Sequence, residues 1–126
     1  MRIRDKQKDM VRTALIQAGM ELFESQGFAR TTVDQITSAA GVGKGTFYNY
    51  FETKEDLLVA GMAVLQERET GLAEARVLEP ASMRERLDRL IAWSARWLEA
   101  HPELSLIWCL ERLRRGVADH SPNSFD

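Results

Sequence analysis

One cysteine, two histidines and three prolines are all that 126 residues contain of those types. A lone Cys109 cannot close an intramolecular disulfide or build a thiolate zinc site, so a disulfide-stapled fold is excluded and a reducing, cytoplasmic setting is expected. His101 and His120 are far apart in sequence and no cluster of His, Cys and carboxylate accompanies them, so neither a metal site nor a cofactor is expected. No apolar run approaches the ~18 residues of a membrane span, and no signal-type stretch follows the basic N-terminus. No GxSxG, phosphate loop or HExxH is present, so no catalytic residue is proposed and an enzyme is not expected. Strand alternation and repeats of 20–50 residues are missing too. Neither sign of charge dominates: 17 Lys and Arg stand against 19 Asp and Glu, with a net charge of −2. A uniformly basic nucleic-acid coat protein is thereby excluded, while local basic patches are not.

What is present is helical. In the first eight residues, Arg2, Arg4, Lys6 and Lys8 stand against Asp5 alone, which reads as a basic arm or as a solvated, frayed terminus. Val11, Leu15, Ala18 and Leu22 recur at 4-3-4 spacing and predict an amphipathic helix that Gly27 stops, with Phe28 folding back onto the stripe. Thr32 followed by Gln35 is a capping box that opens a short helix with Val33, Ile36, Thr37 and Ala40 inward. Gly41 ends it, and a third short helix is expected from Lys44 to about Tyr50. Thr53 and Asp56 form a second capping pattern, opening a long helix with Leu57, Gly61, Leu65 and Leu72 on its stripe. Ser82 to Glu85 is read as the cap of a fifth helix with Leu87, Leu90, Ile91, Ser94 and Leu98 inward. A sixth follows His101-Pro102 and is apolar on two sides, Leu104, Ile107 and Trp108 on one and Leu106, Leu110 and Leu113 on the other. Such a helix needs neighbours on both sides.

Two short helices joined by Ala40-Gly41-Val42-Gly43 have the form of a helix-turn-helix, whose second helix enters a DNA major groove. Projected at 100° per residue, that helix buries Phe47 and Phe51 and presents Lys44, Gly45, Tyr48 and Asn49, with Thr46 and Tyr50 on the flank. Gly45 costs the helix roughly 1 kcal/mol against alanine, and its bare backbone lets another surface come close. Lys44 has the reach for a guanine edge or a phosphate, and Asn49 for an adenine edge or a phosphate. The hydroxyls of Thr46, Tyr48 and Tyr50 suit phosphate oxygens, and Thr32 and Lys54 place donors at helix N-termini. The competing reading has Tyr48 and Tyr50 as half-buried aromatics packing against the first helix.

These residues closely resemble the TetR family of transcriptional regulators. GVGKGTFYNYFETKEDLL is similar to the strongest motif of that family, and Leu22-Phe23, Gly27-Phe28, Thr31-Thr32 and Ile36 match its pattern. The resemblance covers residues 8–58. It implies an all-α protein: a three-helix DNA-binding domain joined through a long fourth helix to a helical ligand-binding and dimerisation domain. The matching DNA-facing positions are Thr32, Lys44, Gly45, Thr46, Tyr48, Asn49, Tyr50 and Lys54. Asp34 departs from the basic residue that some members carry there. The resemblance further implies a homodimer on palindromic operator DNA, acting as a repressor and released by a small-molecule inducer of unknown identity.

The expected domains are residues 1–53 for DNA binding and 54–126 for ligand binding and dimerisation. Since the resemblance implies further helices, the second domain is expected to be truncated. Met62, Trp93, Trp97 and Trp108 are candidates for an apolar ligand pocket, against the plainer reading of bundle core. Cys109 is a further pocket candidate but is expected to be a buried structural thiol. The alternative to a regulator is a helical interaction module that keeps the helix-turn-helix shape without binding an operator.

Overall fold

A computed structural model describes residues 3–71 and 80–119. Among these residues there are six helices and no strand: α1 (Ile3–Gln26), α2 (Val33–Ala40), α3 (Lys44–Tyr48), α4 (Lys54–Thr70), α5 (Pro80–Ala100) and α6 (Pro102–Asp119). The all-α expectation is met.

The helix boundaries follow from local chemistry. Thr32 Oγ1 accepts the Gln35 N–H (3.1 Å) and Gln35 Oε1 accepts the Thr32 N–H (3.0 Å), so the predicted capping box opens α2. Gly41 closes α2 in the left-handed region (φ +76°), with the Val42 N–H reaching back to the Thr37 carbonyl (2.9 Å). The second box opens α4: Thr53 Oγ1 accepts from the Asp56 N–H (3.2 Å), and Asp56 Oδ2 from the Thr53 N–H (3.1 Å).

Four expectations need correction. Helix α1 starts at Ile3, so Arg4, Lys6 and Lys8 of the basic stretch belong to the helix, while Arg2 lies outside the described residues. Helix α3 ends at Tyr48, although the Phe51 N–H still bonds the Phe47 carbonyl (3.0 Å) and carries the turn onward. Helix α5 starts at Pro80, where proline suits the first helical position, so Ser82 lies inside the helix and accepts from Arg86 Nε (3.3 Å). The inward face of α5 is Leu90, Trp93 and Trp97, whereas Leu87, Ile91 and Leu98 point outward, Ile91 being 67% exposed. An indole buries more apolar area than a leucine, so the tryptophan face wins the interior. Leu72, the last residue of the expected α4 stripe, lies outside the described residues.

Helix α1 packs on α2 and α4, and α4 packs in turn on α5 and α6. Leu15, Phe23, Phe28, Ile36, Phe47, Phe51, Leu57 and Leu58 form the core between α1, α2, α3 and the start of α4. Phe28 does fold back, its ring 4.9 Å from that of Phe23. The α1–α4 crossing depends on two small residues. A Cβ on Gly19 would lie 2.6 Å from Leu57 Cδ2, and one on Gly61 would collide with the Met20 side chain. Helix α4 is tied at both ends. Lys54 Nζ donates to the carbonyls of Phe28 (2.7 Å) and Thr31 (3.1 Å) at its start, and Arg86 donates to the Gly71 carbonyl just past its end.

Candidate functional site

Helix α3 is held from behind. Phe47 is fully buried, Phe51 nearly so, and their rings lie 5.6 Å apart. Because side chains four apart share one face, anchoring these two turns the remainder of α3 outward. Lys44, Gly45, Tyr48 and Asn49 are exposed on that outer face. Tyr48 is 52% exposed, its ring edge-on to Phe47 at 5.3 Å. Tyr50 and Thr46 are half-buried on the flank, with Tyr50 packed against the core as the plainer reading of that residue requires. Gly45 meets open space: a Cβ there would find nothing within 4 Å.

The other predicted contact residues are more committed. Thr32 is exposed, and although its oxygen caps α2, its hydroxyl proton is still available to an acceptor. Lys54 is half-buried, with its ammonium 4.3 Å above the Phe28 ring and two donors already given to the α1–α2 loop. It has one N–H left for an outside partner.

Asp34 changes the electrostatics of the face. Its Oδ1 lies 3.4 Å from Lys44 Nζ, with both side chains more than half exposed. A pair so exposed is worth little, so it biases Lys44 without locking it. Gln26 was invisible to sequence periodicity. Its amide donates to Gln35 Oε1 (2.7 Å) and Thr31 Oγ1 (3.3 Å), tying the end of α1 to the start of α2. Its partner in α2 lies nine residues away across a turn, and no local pattern encodes that reach.

At the other end of the molecule, Met62 of α4, Trp93 and Trp97 of α5, and Trp108 of α6 line one cavity of about 160 Å³. The Trp93 and Trp97 rings are 6.1 Å apart, and Trp97 lies against His101 at 4.4 Å. Ser94, Leu98, Ser105 and Cys109 complete the wall. Cys109 is exposed, which corrects the expectation of a buried thiol: it sits on α6 between the outward Leu106 and Leu110. A larger cleft of about 350 Å³ opens between α1 and α4, where Arg12, Glu21, Glu24 and Arg68 give its lining charges of both signs.

A third cluster joins the two ends. Arg115 of α6 donates to Asp56 Oδ1 and lies 3.5 Å from Glu111, while Arg114 donates to Glu111 at 2.7 Å. Burial works against the charged form of Asp56, but the hydrogen bonds from Arg115 and the Thr53 N–H outweigh it and hold the carboxyl below the usual carboxylate range. Hydrogen bonding from Arg114 lowers Glu111 in the same way.

The family model described as bacterial regulatory proteins, tetR family, matches residues 15–60. The chain is 46% identical over 57 residues to the HTH-type transcriptional repressor DhaR of a Mycobacterium species, a match covering 45% of this chain and 27% of that protein. It is 28% identical over 116 residues to the HTH-type transcriptional repressor NicS of Pseudomonas putida, covering 91% of this chain and 54% of NicS. A crystal structure described as a tetR family transcription regulator from a Shewanella species superposes with a TM-score of 0.50 and 25% identity, over 89% of this chain and 56% of that one. The chain spans about half or less of the length of these relatives. The matched segment contains the whole α2–α3 unit and the first turns of α4.

Proposed function

Because the chain belongs to the TetR family of bacterial regulatory proteins, we propose that it is a ligand-responsive transcriptional repressor. In this reading it binds palindromic operator DNA as a homodimer and is released by a small-molecule inducer. The observation that carries the reading is the outer face of α3. A cation, a bare backbone, a phenol and an amide stand together in solvent, and two buried phenylalanines fix their orientation. A face kept only for solubility has no use for Gly45 or Tyr48. The repressor names of DhaR and NicS support the sign of the regulation. The outward Ile91, Leu98, Leu106, Leu110 and Leu113 support a covered apolar face, and the reading assigns part of that cover to a second copy.

Each α3 fills one major groove, with Lys44 and Asn49 at base edges or phosphates and Tyr48, Thr46, Tyr50 and Thr32 at phosphates. Lys54 contributes its one remaining donor. A dimer places the two α3 helices about 34–36 Å apart, one helical turn of DNA. Helix α4 runs from the reading face to the tryptophan cavity. A ligand favouring one tilt of α4 changes the spacing of the two reading helices, and a few kcal/mol of differential affinity is enough.

The test is DNA selection by the full chain, followed by affinity measured across a salt series. The expected result is a linear fall of log affinity with log salt. Lys44→Ala and Tyr48→Ala are expected to weaken binding while helical content and melting stay unchanged, and Lys44→Ala to lower the salt slope by about 1. Parent-like binding in both variants overturns the contact face. A folded dimer that selects no DNA favours the interaction-module alternative.

A further inference from the structure

We propose that the tryptophan cavity takes an uncharged single-ring molecule carrying one hydroxyl group, that is, a phenol. The ring lies among Trp93, Trp97 and Trp108, and the hydroxyl bonds Ser105. The proposal deepens the ligand-responsive reading above only in making this molecule the inducer; the binding event stands by itself.

Size is the first argument. The cavity measures about 160 Å³. Apolar cavities of about 150 Å³ hold benzene, whereas pockets for drug-sized molecules begin near about 300 Å³. Wall chemistry is the second. Indoles, a methionine, a leucine, two serines and a thiol line the space, and among the described residues no charged side chain does. An ion entering it gives up its water and finds no counter-charge. Flat indole faces favour a flat guest over a branched aliphatic one of equal volume.

Ser105 is the third argument and fixes the polar group. It is 7% exposed, lines the cavity, and its hydroxyl makes no hydrogen bond among the described residues. A serine in a helix commonly returns its hydroxyl to the carbonyl four residues back. Here the carbonyl of His101 receives the Ser105 N–H at 3.0 Å, and the hydroxyl takes no share of it. The hydroxyl faces the cavity and is not sealed from solvent, so it keeps both a donor and an acceptor to offer a guest.

All three tryptophans of the chain line this cavity, so tryptophan emission, excited selectively over the two tyrosines, reports on it. The full chain is titrated with phenol, benzene, benzoate and tetramethylammonium, by fluorescence and by calorimetry. Phenol is expected to bind saturably and benzene more weakly, with benzoate and tetramethylammonium silent over the same range. Ser105→Ala is expected to reduce phenol affinity roughly five- to tenfold, down to that of benzene, and to leave benzene unchanged. Circular dichroism checks that the variant is folded. The assignment is overturned by an absent phenol response, by benzoate or tetramethylammonium binding as tightly as phenol, or by a phenol-to-benzene ratio that Ser105→Ala does not move. DNA affinity is measured separately with and without phenol. Phenol binding with unchanged DNA affinity supports the cavity assignment and overturns only the inducer role.

Discussion

Around α2 and α3 the large apolar side chains point inward and the polar ones outward. Along α5 and α6 much of that order is inverted. Phe23, Ile36, Phe47 and Leu57 are fully or almost fully buried at the reading end, where Met10 and Tyr48 are the large apolar residues on the outside among those described. On α5 and α6, six large aliphatic residues are exposed, with Leu113 at 68%. The two ends therefore differ in where their organisation comes from. The reading end closes on itself with short helices, two capping boxes and a phenylalanine core. The other end uses its indoles to pack on α4 and leaves its leucines for surfaces outside the described fold.

The sharpest way to break this comparison is to truncate one buried and one exposed residue. Phe47→Ala removes a fully buried ring and is expected to cost about 3–5 kcal/mol, melting the reading end. Leu113→Ala is expected to change stability by no more than about 0.5 kcal/mol in the monomer. Equal losses in chemical denaturation would show that the outward face of α6 is not free. Next in size is Gly19→Ala, which pushes a methyl into the buried Leu57 and is expected to cost about 1–3 kcal/mol. An unchanged melting temperature would mean that the α1–α4 crossing is looser than described.

A smaller effect in the opposite direction is expected at Gly45→Ala. The added methyl meets nothing in the protein and the helix gains roughly 1 kcal/mol. DNA affinity is nevertheless expected to fall, because the methyl occupies the space through which a phosphate or base edge approaches. Stabilisation together with full DNA affinity would remove Gly45 from the contact face.

The smallest effect is a pH dependence. The Asp56 carboxyl is lowered in the fold, so its stabilising contribution is complete above its unfolded pKa and is lost as pH falls through the folded value. Acid titration below the ordinary carboxylate range is expected to release Arg115 before global unfolding, and Asp56→Asn to abolish that early step. The Asp56 carboxyl resonance, followed by NMR, checks the first, and the Arg115 guanidinium resonances of the variant check the second.

Much of the reading end was legible because its instructions are local. Thr32 with Gln35, Thr53 with Asp56, and Gly41 each specify a boundary within four residues, and the i, i+4 pair Phe47–Phe51 fixes which side of α3 faces in. The inward face of α5 was not legible. Leu87, Ile91 and Leu98 form as regular a stripe as Leu90, Trp93 and Trp97, and only the position of α4 decides between them. Cys109 was misplaced for the same reason: α6 is apolar on both sides, and periodicity alone does not say which one finds a neighbour. The Gln26–Gln35 and Arg115–Asp56 bonds join elements through space, and no spacing rule announces them.

The carboxylate of Asp56 starts α4 and also receives Arg115, while Lys54 beside it is fastened to the α1–α2 loop and Gly71 at the far end to Arg86. A rod fastened at both tips has no loose turn in which to dissipate a push. The seating of α4 therefore rests on the four side chains that fasten it, and its own backbone bonds keep it straight between them.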